Sequence, residues 1–170
     1  KPGFINSDIF RLYLKPIIEE IKIKDLKKEL IINATDLIQG ETFVFSGDDY
    51  LLDAIIASCS VPGLASPFKK DELLLSDGGI LNNFPTNLIK EKCDKIIGIY
   101  VCPLQDVKNN QLNSIKSVAT RAYELLSHSV ENYKFRDCDW LISPKELSNY
   151  GMFESKKTRM DELFQLGFSE

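Results

Sequence analysis

One carboxylate in this chain stands where chemistry can use it. Asp77 follows the apolar run Leu73-Leu74-Leu75 and precedes Gly78-Gly79. The run reads as a short buried strand, bounded in front by the turn-prone Lys69-Lys70-Asp71, so the acid falls at a strand's end. Two glycines directly after it permit positive φ and the close approach of another backbone. The carboxylate can then face a neighbouring group at the rim of a sheet, where open α/β folds keep their sites. Taken alone, Asp-Gly-Gly reads more readily as a tight turn with a solvated carboxylate.

Other chemistry-bearing residues read as structural. Ser58 and Ser60 lie where an apolar helix bends into Val61-Pro62-Gly63, with no base nearby in sequence, so packing is their expected role. His128 is the single histidine. By helical spacing it falls off the apolar stripe, whereas a Ser-His-Asp triad needs it at the sheet edge. The neighbouring Asp48 and Asp49 point apart and read as solvated loop acids, not metal ligands. Cys59, Cys93, Cys102 and Cys138 form no C-x-x-C spacing, which predicts buried free thiols in a reducing compartment and no zinc site.

The elements that must position Asp77 follow from periodicity. Ile9, Phe10, Tyr13, Leu14, Ile17, Ile18 and Ile21 repeat at helical spacing behind the candidate caps Asn6, Ser7 and Asp8, with Pro16 kinking or restarting the helix. It reads as a scaffold helix packing on a sheet, with a lipid-seeking surface as the minority reading. Leu30–Ala34 and Phe43–Phe45 predict strands joined by a hairpin around Gln39-Gly40. Ser46–Asp49 then turns into a helix over Leu51–Ser58.

After Asp77, a loop leads into a helix over Thr86–Lys92 with Pro85 in its first turn, and Ile96–Val101 predicts an interior parallel strand. The stretch from Leu73 to Val101 therefore reads as one βαβ unit with Asp77 at the carboxyl edge of the sheet. Gln105–Asn113 reads as loop, and Asn113 or Ser114 as the cap of a long helix whose stripe is Ile115, Val118, Ala119, Ala122, Leu125, Leu126 and Tyr133. Trp140–Ile142 predicts a last strand, and a final helix from Ser155 or Thr158 is expected to end at Gly167.

A length of 170 residues fits one domain with a real core. Hydrophobic residues at 44% exclude a disordered chain. A net charge of −4 and an isoelectric point near 5.2 argue against nucleic acid as the main partner. No run of eighteen apolar residues exists, and Lys1-Pro2-Gly3-Phe4 is not a signal peptide. Cytoplasm is the expected location.

Taken in order, ATDLIQGETFVF from Ala34, ASCSVPG from Ala57, Pro67-Phe68 and SDGGILNNFP from Ser76 resemble the patatin-like phospholipase family, closely over residues 30–101. LISP, YGMF and Leu166-Gly167-Phe168 near the chain end resemble it more loosely. The resemblance implies a three-layer α/β/α fold with a mostly parallel central sheet, and a lipid acyl hydrolase working by a Ser-Asp dyad without metal or organic cofactor. Asp77 maps onto the dyad's acid, the proton acceptor, with Gly78 and Gly79 supporting the motif. The family's Gly-x-Ser-x-Gly nucleophile turn and its glycine-rich oxyanion loop are not in this sequence. Both precede the matching region in the family, so the chain is expected to begin part-way through a domain and to be inactive alone. Lipid or another acyl ester is the expected substrate, with peripheral membrane contact as a further expectation. The rival reading is a non-catalytic α/β binding module, or a degenerate member of the family, in which Asp77 is a turn residue. Acyl transfer uses the same residues as hydrolysis.

Overall fold

The computed structural model describes residues 3–18, 20–104, 106–107, 111–150 and 154–169. The readings placed on Lys1, Pro2, Gln105 and the Gly151-Met152-Phe153 part of YGMF lie outside the described residues. The chain divides into two compact units, Lys1–Pro85 and Thr86–Glu170.

The first unit carries β1 (Gly3–Ile5), α1 (Asp8–Leu14), β2 (Ile32–Asp36), β3 (Glu41–Phe45), α2 (Leu51–Ser58), β4 (Gly63–Ala65), β5 (Phe68–Lys70) and β6 (Leu73–Asp77). Its main sheet has the order β3-β2-β6-β5, and all three pairings are antiparallel. This departs from the expected mostly parallel sheet, because short turns supply two of the pairings. The β2–β3 hairpin turns on Gly40 at φ 71°, and β5 returns into β6 through Asp71, held at φ 53°. β1 and β4 form a separate parallel pair.

The apolar side of α2 (Leu52, Ala54, Ile56, Ala57) closes over Ala34 of β2, Phe45 of β3, Phe68 of β5 and Leu75 of β6. Ala34, Ala54 and Ala57 are fully buried, and side chains this small let the helix lie close on the strands. α1 stops at Leu14 and does not run on to Ile21, since Pro16 has no N–H to continue the ladder. Phe10, Leu14 and Ile18 pack on the core as a scaffold stripe should. Leu12, Tyr13 and Ile17 stand exposed.

The second unit carries β7 (Ile97–Ile99), α3 (Ile115–Glu131), β8 (Trp140–Ile142) and α4 (Lys157–Ser169). β7 and β8 pair in parallel, Ile97 opposite Trp140 and Ile99 opposite Ile142. The expected βαβ unit is not formed. β6 has β2 and β5 as neighbours, β7 has β8, and between them Thr86–Leu88 makes one 3-10 turn in place of a helix to Lys92. Nor is β7 interior: Ile97 and Ile99 are 63% and 64% exposed.

Ser114 is the cap of α3, in a reciprocal capping box with Ser117. The stripe of α3 is not covered, with Ile115, Val118, Leu125 and Leu126 all exposed. Gly167 lies inside α4 and does not end it. The cysteines are free as expected but not buried: Cys59, Cys93 and Cys102 are exposed and Cys138 is partly so, because all four sit in connections or at element ends where core packing does not reach.

Candidate functional site

Asp77 is the last residue of β6, at φ −42° and ψ 127°, and caps the 3-10 turn Gly78–Ile80 that follows. Its backbone is held from two sides. The Asp77 N–H donates to the Ser60 carbonyl at 3.0 Å. The Asp77 carbonyl accepts from Thr35 Oγ1 at 2.9 Å. Ser60 O also accepts from Ser76 Oγ at 2.6 Å, so the bend after α2 is tied to the end of β6 at two consecutive residues.

The carboxylate is half-buried. Oδ1 accepts the Gly79 N–H at 2.7 Å, and among the described residues Oδ2 has no hydrogen-bond donor. Burial pushes the Asp77 pKa above the ordinary carboxylate value, and the Gly79 N–H pulls back against that rise. The direction suits a base, because a carboxylate with a raised pKa holds a transferred proton better. Cys59 lies within electrostatic reach. Although the residue as a whole is exposed, partial burial of its thiol, and then the charge on Asp77, push its pKa up.

Both glycines of the motif are needed for space. A Cβ on Gly78 would meet the Asn33 carbonyl and side-chain nitrogen at 2.6 Å, and one on Gly79 would meet Asn83 Oδ1 at 2.8 Å and Asp77 Oδ1 at 2.9 Å. Neither glycine has a positive φ, so close approach is the reason for them here. Asn33 also reaches past Gly78 to donate to the Asn82 carbonyl at 2.9 Å.

The other sequence candidates have partners of their own. Ser60 is fully buried with its hydroxyl donating to the Ile56 carbonyl at 2.7 Å, so it is a packing residue. His128 belongs to the second unit, half-buried against Phe135 and Tyr100, with Nδ1 3.4 Å from the Tyr100 hydroxyl. Asp48 pairs with Lys24 at 2.6 Å and Lys22 at 3.0 Å, and these ammonium groups hold its pKa down to about 2. Asp49 pairs with Lys70.

Sequence reasoning passed over Asn33 and Thr35. Their signal was present: two polar residues at i and i+2 on a strand that opens with Leu30-Ile31-Ile32 must share a face, and a buried polar side chain needs a partner.

The sequence profile of the patatin-like phospholipase family matches residues 1–89, more than half of the chain and all of the Asp77 site. The chain belongs to the patatin-like phospholipase family. An uncharacterised NTE family protein of Mycobacterium tuberculosis is 34% identical over 80 residues, 47% of this chain and 13% of that protein. A second uncharacterised NTE family protein of the same organism is 37% identical over 84 residues, 49% of this chain and 23% of that protein. This patatin-like chain thus matches less than a quarter of the length of those two relatives. Among its described residues no helix is long and apolar enough to cross a membrane.

Proposed function

We propose that this chain carries the acid of a lipid acyl hydrolase, with Asp77 taking the proton of a serine hydroxyl supplied by a segment outside these 170 residues. The observation that carries the reading is the Asp77 carboxylate itself: half-buried, raised in pKa by that burial, one oxygen fixed by the Gly79 N–H and the other open. In a Ser-Asp dyad the carboxylate acts without an imidazole, and an ordinary pKa near 4 would make it a poor base. Serine Oγ bonds to the ester carbonyl as its proton passes to Asp77 Oδ2. The alcohol leaves with that proton, and water then releases the fatty acid from the acyl-serine by the same route. Backbone N–H groups on the segment that bears the serine hold the oxyanion.

In the same reading, the three-layer, mostly parallel sheet belongs to the complete domain. The parallel pairs β1–β4 and β7–β8 are what supports it. Four free cysteines support a reducing, cytoplasmic setting. Peripheral contact with the lipid substrate's membrane is supported by Leu12, Tyr13 and Ile17 exposed on and after α1.

Asp77→Asn in the full-length protein should abolish cleavage of an acyl ester and slow labelling by a serine-reactive phosphonate, with little loss of fold by circular dichroism. Near-normal turnover would remove Asp77 from the chemistry. The Gly79 N–H bond to Oδ1 also favours a second reading, a binding module in which Asp77 only caps the turn. Absence of both turnover and phosphonate labelling in the full-length protein would select it.

A further inference from the structure

We propose that Asn33 and Thr35 of β2 are positioning residues for Asp77, a two-point clamp on the two ends of the loop that begins at the base; this rests on the reading of Asp77 just given. Residues two apart on a strand project from the same face, and here they grip opposite ends of one short segment. Thr35 Oγ1 donates to the Asp77 carbonyl at the segment's start, and Asn33 Nδ2 donates to the Asn82 carbonyl near its end. Thr35 is 2% exposed and Asn33 9%. The Asn33 bond is buried and the Thr35 bond partly so, and neither side chain is a surface decoration.

The geometry explains why the grip reaches the carboxylate. Fixing the Asp77 carbonyl fixes the plane of the peptide joining it to Gly78, and the close contact of Gly78 with Asn33 restrains the one φ/ψ pair between that plane and the Gly79 N–H. That N–H is the donor to Oδ1. Gly78 rests on Asn33 so closely that no Cβ fits, which leaves the loop no room to slide between its two anchors. The Thr35 hydroxyl therefore helps to hold the carboxylate in place for an incoming hydroxyl. Thr35 itself donates to a backbone carbonyl and has no part in the proton transfer.

The test uses the full-length protein and hydrolysis of p-nitrophenyl butyrate. Thr35→Val keeps the β-branched shape and deletes the donor. It should lower kcat about 10- to 100-fold, the loss expected when a reacting group drifts by about an ångström, with KM within about twofold of wild type. Thr35→Ser restores the hydroxyl and should recover most of the lost kcat, although it lacks the methyl group that packs in the fold. A merely structural threonine gives the opposite pattern: Thr35→Ser as impaired as Thr35→Val, or kcat unchanged in both. Either result overturns the clamp. If Thr35→Val is recovered unfolded, Thr35→Cys, close to serine in size with a much weaker donor, replaces it against Thr35→Ser. Asp77→Asn measured alongside separates the two levels. Activity retained in Asp77→Asn removes the base and the clamp with it, whereas activity lost in Asp77→Asn but kept in Thr35→Val removes the clamp alone.

Discussion

Gly78→Ala perturbs the contact on which the site's shape depends, and its cost can be worked from the distances. The added methyl would sit 2.6 Å from both the carbonyl oxygen and the side-chain nitrogen of Asn33, about 0.8 Å inside the 3.4 Å at which ordinary contact begins. The amide can swing aside only by breaking its bond to the Asn82 carbonyl. The Asn33 carbonyl cannot move without β2, which is paired to β3 on one side and to β6 on the other. Overpacking of this kind costs about 1–3 kcal/mol, and a lost buried hydrogen bond adds about 1 kcal/mol. At about 2–4 °C per kcal/mol for a chain of this length, the melting temperature should fall by roughly 5–15 °C in a thermal scan followed by far-ultraviolet circular dichroism. Gly167→Ala is the control. Nothing lies within 4 Å of a Cβ there, the residue is inside α4, and alanine is favoured in a helix by about 1 kcal/mol, so melting should hold or rise. A Gly78→Ala protein that melts with the wild type would refute the claim that close approach requires this glycine.

Two further outcomes follow from the charges. Burial raises the Asp77 pKa, so the folded chain binds that proton more tightly than the unfolded one. The stabilisation is present at acid pH and is lost as pH rises from the ordinary carboxylate value through the raised one. Asp77→Asn removes this slope, so the variant should melt at or above wild type at neutral pH, with the gap closing on acidification; a gap that widens toward acid would reverse the sign and sink the assignment. In the second unit, Lys134 Nζ lies 3.0 Å from Glu131 Oε2 with both side chains almost wholly buried. Lys134→Met leaves that carboxylate without its ammonium and should cost about 3–5 kcal/mol in urea unfolding. Glu131→Gln combined with Lys134→Met should recover part of the loss, and a single variant no weaker than the double would disprove the pairing energy.

The legible parts of the sequence were those fixed by local pattern. Leu51–Ser58 and Trp140–Ile142 are found at the bounds read from periodicity. The hairpin at Gly40 follows from turn chemistry, and Asp77 does end its strand. What failed was long-range. A continuous apolar run such as Ile96–Val101 predicts burial on both faces, but exposure depends on what pairs and packs from elsewhere. The Leu73–Val101 stretch has the length of a crossover, and nothing within it tells that β6 pairs antiparallel with β2. Pro16 reads as a kink or a restart of the helix, whereas α1 ends at Leu14 because the proline has no N–H to continue the ladder. The hydrogen bonds from Thr35 and Asn33 were out of reach for the same reason, since each joins residues more than forty apart.

β2 has a place in the order of assembly as well as in the finished sheet. Its pairing with β3 joins close neighbours, from Asp36 opposite Glu41 out to Ile32 opposite Phe45, whereas its bond from Thr35 to Asp77 closes 42 residues. Chain-closure entropy favours the short loop first. The hairpin can therefore zip on its own, and the aspartate arrives later at an edge already folded to receive it. Substitutions that slow the hairpin should delay formation of the acid's seat, even when they lie far from the carboxylate in space.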